Sequence, residues 1–264
     1  EWESGKFLAC AGDMWCAMVE EFLSTPDRMD LLASLPMPTL VVVGEQDRAF
    51  RAVSARMADV ISPIANRRAR RAFADRPVPE EMLESLWEAA ALAPSHGNTQ
   101  PARILVARDP EVREQLFGAF SPGNRNWAGA APVLAAICSD STQETPQTNS
   151  DGSTRELGAF CAGIMLGNLL AQATGIGLIL HPVAGFDEPA VRAVFGAPES
   201  IRVHVVMAIG FQGTPEQLPE DLRAKELAPQ LRLPITTLVA KDRWSADNEI
   251  TWKQYRDSVQ GRPS

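Results

Sequence analysis

Residues 157–173 read Leu-Gly-Ala-Phe-Cys-Ala-Gly-Ile-Met-Leu-Gly-Asn-Leu-Leu-Ala-Gln-Ala, without a single charge. A helix apolar nearly all round its circumference has no face to give to water, so it must be central and covered on every side. Gly158, Ala159, Ala162, Gly163 and Gly167 would let neighbouring helices approach closely. The run is at the short end of the roughly 20 apolar residues that a membrane span needs. Asn168 and Gln172 interrupt it as well, so a buried helix is the better reading. Its methionine and phenylalanine are expected in the core rather than around a cofactor.

The flanking segments supply that core. Met82, Leu83, Leu86, Trp87 and Ala90 recur at helical spacing within residues 79–93, and Glu80 and Glu81 fall in the first turn. Carboxylates are favoured there by the helix dipole. Residues 104–107, 133–138, 178–180 and 203–209 have strand character. Residues 110–117 and 189–195 read as short helices opening on proline. Residues 139–155 are polar and of low complexity, which predicts a mobile loop. With 45% hydrophobic and 22% charged residues in 264, the chain is close to the globular average and long enough for a large core in one or two domains.

Two polar segments carry chemistry. The first, residues 90–101, breaks an apolar helix at Pro94 into Ser95-His96-Gly97-Asn98-Thr99-Gln100-Pro101. A hydroxyl and two amides set between a helix end and a strand suit a flat polar heterocycle. The plainer alternative is an ordinary loop, because Ser, Asn, Gly and Pro are the usual turn residues. The second is Arg67-Arg68-Ala69-Arg70-Arg71, four arginines within five positions. In a chain of net charge −8 the cluster is local, so it argues for a phosphate rather than a nucleic-acid face. The plainer alternative here is a solvated basic turn.

Taken together, four blocks over residues 64–244 resemble the nitroreductase family of FMN-dependent enzymes. That family opens with Arg-Arg-Ser-x-Arg-x-Phe, which here reads Arg67-Arg68-Ala69-Arg70-Arg71-Ala72-Phe73. Its Ala-Pro-Ser-x-x-Asn-x-Gln-Pro-Trp segment matches residues 93–101. Gly175-Ile176-Gly177-Leu178, then His181-Pro182-Val183-Ala184-Gly185-Phe186, is similar to the turn beside the flavin's reactive edge, and Arg232-Leu233-Pro234 to the last phosphate-binding segment. Ala69, Ala102 and Gln230 depart from the family's serine, tryptophan and basic residue.

The resemblance implies an α+β, three-layer fold with a central mixed or antiparallel sheet flanked by helices, preceded by a short helix-strand-helix segment. It implies FMN held through its phosphate by Arg67, Arg68 and Arg71 with Arg232 assisting. Ser95, Asn98 and Gln100 would contact the ribityl chain or ring edge. Pro182 and the backbone amides of Ala184 and Gly185 would face N5 and the pyrimidine edge, where oriented dipoles stabilise charge on the reduced ring. NADH or NADPH would be the donor and an electron-poor small molecule, such as a nitroaromatic or quinone, the acceptor in a ping-pong cycle. No catalytic side chain and no metal is implied, because the flavin carries the chemistry. His181 is read either as an acid–base group or as a hydrogen-bonded structural residue, with the second favoured. The implied assembly is a homodimer with FMN at the interface, without nucleic-acid or membrane partners. Reductive dehalogenation or flavin breakdown on the same fold remains open, and so does a hydrolase-derived or interaction protein whose flavin site has decayed.

Residues 1–62 differ in kind. Met37-Pro38-Thr39-Leu40-Val41-Val42-Val43-Gly44-Glu45-Gln46-Asp47 is a buried-strand pattern ending in a glycine turn and an aspartate. It resembles the late strand of an α/β-hydrolase, yet no Gly-x-Ser-x-Gly elbow lies upstream and no histidine follows before His96. The segment is therefore expected to be a non-catalytic arm, with residues 63–264 forming the flavin-binding domain. Its bulky side chains favour a packed helical arm over disorder. Cys10, Cys16, Cys138 and Cys161 have no metal or redox spacing and are expected as reduced, mostly buried thiols. Reduced thiols point to a reducing compartment, so a cytoplasmic protein is expected.

Overall fold

The structure is a computed structural model and describes residues 60–260. The arm up to residue 59, with Asp47, Cys10 and Cys16, lies outside the described residues. The chain divides between Gln217 and Leu218 into two compact units.

In the first unit, α1 (Ser62–Asn66) and α2 (Glu80–Ala91) precede β1 (Ala102–Ala107). Helices α3 (Pro110–Gly118) and α4 (Pro122–Ala128) lead to β2 (Val133–Asp140) and a small hairpin, β3 (Gln147–Thr148) and β4 (Thr154–Arg155). Then come α5 (Gly158–Gly175), β5 (Ile179–Val183), α6 (Glu188–Val194) and β6 (Ile201–Gly210). Strands β1, β2, β6 and β5 form, in that order, an all-antiparallel sheet. Alternate residues of β2 supply both faces. Ala135 and Ile137 join Leu83, Leu86 and Ala90 of α2, Leu169 and Ala173 of α5, and Met207 and Ile209 of β6 in one buried cluster. On the opposite face α3 and α6 pack on β1, β2 and β6, where Leu116 and Val191 are fully buried. The result is the expected α+β arrangement of helix, sheet and helix.

The second unit contains α7 (Glu220–Leu227), α8 (Ile235–Leu238) and α9 (Trp252–Gln260). Asn248 ties it locally, donating through Nδ2 to the carbonyls of Thr236 and Thr237 at 3.3 and 3.1 Å.

Three expectations need correction. Strand β5 does not stop at Leu180 but runs through His181 and Pro182 to Val183. Among the described residues it is an edge strand paired only with β6, where a missing N–H is tolerated. Residues 139–155 are not an irregular loop, since β2 continues to Asp140 and the β3–β4 hairpin follows. Asn149 N donates to Ser153 O at 2.8 Å across that hairpin. Helix α5 is not covered on every side within one chain: Phe160 is 62% exposed, and Gly163 and Gly167 are exposed beside it. Met165 does pack against the core, as expected.

A register slip anchors the stretch after β2. Ile137 pairs with Val205 but Cys138 with Val203, so His204 is the extra residue of a β-bulge. Ser139 Oγ lies 2.9 Å from His204 Nε2 and 3.0 Å from Glu144 Oε1. A serine has one proton and a carboxylate only accepts, so Ser139 donates to Glu144 and receives from His204. Both described cysteines, Cys138 and Cys161, are buried, and burial pushes the Cys138 thiol up to about 12. Neighbouring Glu188 adds to that shift. Such a thiol is inert at neutral pH. Among the described residues no helix is long and apolar enough to cross a membrane.

Leu169 is wholly buried between α2 and the sheet. Leu169→Ala should lower unfolding stability by about 2–5 kcal/mol, read as a fall in the urea midpoint at unchanged slope.

Candidate functional site

The arginine segment is held along the β5–β6 edge of the sheet. Gly213 N donates to Ala72 O at 2.8 Å and Ala74 N to Phe211 O at 2.9 Å, framing a bridge between Phe73 and Gln212. Only glycine fits opposite: a Cβ on Gly213 would lie 2.6 Å from the Phe73 backbone. Ala72 and Phe73 are buried, and they fix the segment. His181 on β5 reaches it from below, with Nδ1 2.8 Å from the Arg70 carbonyl. A carbonyl cannot donate, so Nδ1 carries the proton. Trp127 of α4 packs on the His181 ring at 4.4 Å between centroids and stacks with Phe73 at 6.3 Å. The Arg71 guanidinium lies 5.9 Å from the centre of the Trp127 ring, within cation–π range. Burial lowers the His181 pKa to about 4, and the nearby charges of Arg71 and Arg67 push the same way, against the Arg70 hydrogen bond. His181 is neutral at pH 7. Burial and the fixed bond to Arg70 O are what the structural reading of this residue expects.

Beyond Val183 the chain turns through Ala184, which is exposed, and Gly185, which is half-buried. Gly185 O accepts from Ser121 N at 2.9 Å and from Asn124 Nδ2 at 3.1 Å. A Cβ on Gly185 would sit 2.6 Å from Asn124 Nδ2 and 2.7 Å from Ser121 Oγ, so a side chain there would displace both. An open cleft of about 490 Å³ follows, lined by Phe120, Ser121, Arg125, Phe186, Asp187 and others. Arg125 donates to the carbonyls of Phe120 and Gly118.

The Ser95–Gln100 turn is built from strained backbone. Gly97, Asn98 and Gln100 have φ of 55°, 55° and 48°. Glutamine gains nothing from a left-handed conformation, and such outliers cluster at ligand sites. The turn is locked: Ser95 Oγ accepts from Gln100 N at 2.9 Å, and Arg103 Nη1 donates to Gln100 O at 2.6 Å. Gln147 of the hairpin meets His96, with Nε2 of each 2.9 Å apart.

In one chain the arginine segment meets β5 at His181, the residue before Pro182 and the Ala184–Gly185 turn, and lies away from Ser95, Asn98 and Gln100. Ala102, next to the turn, pairs with Ser139, which pairs with Arg202, whereas His181 pairs with Ala208. At about 3.3 Å per residue and about 4.8 Å per strand, these positions are roughly 20 Å apart or more. Arg232 belongs to the second unit, is exposed, and donates to the Leu231 carbonyl at 2.7 Å. Sequence reasoning missed Ser121, Asn124 and Trp127, whose only local signal is a serine and proline opening a short helix. Taken separately, the guanidinium groups at one edge suit a phosphate, and the hydroxyl and amides at the other suit the polar edge of a heterocycle.

This architecture, an antiparallel sheet between helix layers with polar turns at its two edges, defines a cofactor-binding α+β domain. A family profile described as "Nitroreductase family" matches residues 64–126 and 118–211. A Streptomyces coelicolor protein named as an NADH dehydrogenase/NAD(P)H nitroreductase is 30% identical over 157 residues, 54% of this chain and 78% of that one. The NADH dehydrogenase of Thermus thermophilus is 31% identical over 205 residues, 69% and 95% of the two chains. A crystal structure described as an oxidoreductase containing FMN superposes with a TM-score of 0.63 at 28% identity, covering 70% of this chain and 93% of that one. The chain belongs to the nitroreductase family.

A neutral buried histidine gives stability a sign with pH. In the unfolded chain His181 takes its proton near 6.5, in the fold only near 4, so acid favours unfolding between those values. His204 is shifted the same way by burial. Stability should be full above about pH 6.5 and fall toward pH 4, with His181 contributing on the order of 3 kcal/mol. Urea midpoints measured from pH 7 to pH 4.5 would show it.

Proposed function

We propose that the protein is an FMN-dependent oxidoreductase that passes electrons from NADH or NADPH to an electron-poor small molecule such as a nitroaromatic or quinone, in a ping-pong cycle. Family membership supports the oxidoreductase class and the FMN and NAD(P)H pair. FMN, when bound, accepts and returns the electrons. The chain's own residues bind and orient. Arg67, Arg68 and Arg71 hold the phosphate, joined by Arg232. The Ala184–Gly185 turn, fixed by Ser121 and Asn124, keeps its amides aimed at one place without reorganisation. Ser95, Asn98 and Gln100 grip the ribityl chain or ring edge. With no acid or base to be supplied, a permanently neutral His181 is compatible with the site.

The observation that carries the class is the family match over residues 64–211; the shared site is inferred from the sheet order, which sets the two polar turns at opposite edges. A second copy reunites the two halves, and the open face of α5 around Phe160, Gly163 and Gly167 suits a close helix contact. We therefore assign FMN to the interface of a homodimer, which we place in the cytoplasm. Residues 1–62 form a non-catalytic arm preceding the flavin domain of residues 63–264.

NADH or NADPH should bleach the flavin of the anaerobic protein, and a nitroaromatic or quinone should restore its colour; a protein that neither contains nor takes up FMN contradicts the proposal. The shared site has its own signature. Arg67→Glu/Arg68→Glu chains and Ser95→Leu chains should each fail to retain FMN. Refolded together, they should recover roughly a quarter of the sites, because half the dimers are hybrids with one intact site. No recovery would place the whole site in one chain.

A further inference from the structure

Most positions in the candidate site are explained by what they would touch on the cofactor. His181 is not: its ring is buried, it faces protein, and the proposed cycle asks no proton of it. What it touches is the backbone of the arginine segment. Residues 67–71 lie outside the sheet's strands, and pairing with the chain after β6 begins only at Ala72. The hydrogen bond from His181 Nδ1 to the Arg70 carbonyl, 2.8 Å long, ties β5 to the middle of that segment. The ring is held for this task on its face by Trp127, 4.4 Å away, whose own ring stacks with Phe73 and lies under Arg71. Phe73, Trp127 and His181 are each at most 8% exposed.

We propose that His181 is a positioning residue for phosphate recognition: its neutral Nδ1–H ring, clamped by Trp127, fixes the Arg70 carbonyl and thereby sets the directions of Arg67, Arg68 and Arg71. The inference rests on the FMN reading above and deepens it. The charges of Arg71 and Arg67 disfavour a cationic ring there, and one nitrogen, Nδ1, lies at the carbonyl. The chemistry asked of the residue is thus one short-reach donor that carries no charge. Asparagine can imitate it, since its Nδ2–H falls near the position of the histidine Nδ1–H. Glutamine cannot, because its amide is one methylene farther out.

The test compares FMN with riboflavin, which lacks the phosphate. Affinities of both are measured by flavin-fluorescence titration on the full chain as wild type, His181→Phe, His181→Gln and His181→Asn, with folding checked by circular dichroism. His181→Phe and His181→Gln should bind FMN roughly tenfold more weakly, the effect of losing one buried hydrogen bond, while riboflavin affinity stays within about twofold. His181→Asn should regain most of the FMN affinity. If His181→Phe does not fold, the Gln and Asn pair decides alone. Equal FMN affinity in all variants, or parallel losses of FMN and riboflavin, would overturn the positioning role while leaving the FMN reading intact. A wild-type protein that binds neither flavin overturns both.

Discussion

Coverage of α5 is the constraint on which the rest of the structure depends. Its inner side buries Leu169 and Ala173 against α2 and the sheet, and its hydrogen-bonded turn into β5 closes through Leu178 N to Ala173 O at 2.8 Å. The outer side presents Phe160 and two glycines to solvent. An apolar helix open along one side is a half-finished core. Burying a phenylalanine contributes about 1.5–3 kcal/mol, and Gly163 and Gly167, with nothing within 4 Å of a Cβ position, leave room for another backbone.

The same constraint organises the site. Because β1 and β5 occupy opposite edges, the polar turn leading into β1 and the polar turn leaving β5 face different sides of the molecule. Each is internally rigid. The first is closed by Ser95, Gln100 and Arg103, the second by Ser121, Asn124 and Gly185. Rigid half-sites need only be brought together, with little further ordering of their side chains on ligand binding. In the proposed homodimer, assembly through α5 and completion of the flavin site would be one event.

Much of this was legible in the sequence. Helical spacing of Leu83, Leu86 and Ala90 placed α2, and the uncharged run placed α5 to within two residues of its observed ends. Strand β5 was cut short because Pro182 ordinarily ends a strand; edge position, which excuses it, is a property of the sheet and not of the segment. The β3–β4 hairpin was hidden because its residues are polar on both faces, and its anchorage depends on a bulge that aims His204 at Ser139. For the site, residue chemistry identified the arginines and the Ser-Asn-Gln turn. Their separation follows from the order β1-β2-β6-β5, a non-local pairing that no local pattern encodes. Trp127, Asn124 and Ser121 matter only through contacts with residues more than fifty positions away.

In the proposed function two chains together make the flavin site. Size-exclusion chromatography with light scattering and simultaneous flavin absorbance, run over a dilution series, tests it directly. The account requires flavin to elute with a dimer at one FMN per chain, and to be released as the dimer dissociates. Flavin travelling with a monomer at the same stoichiometry would contradict it.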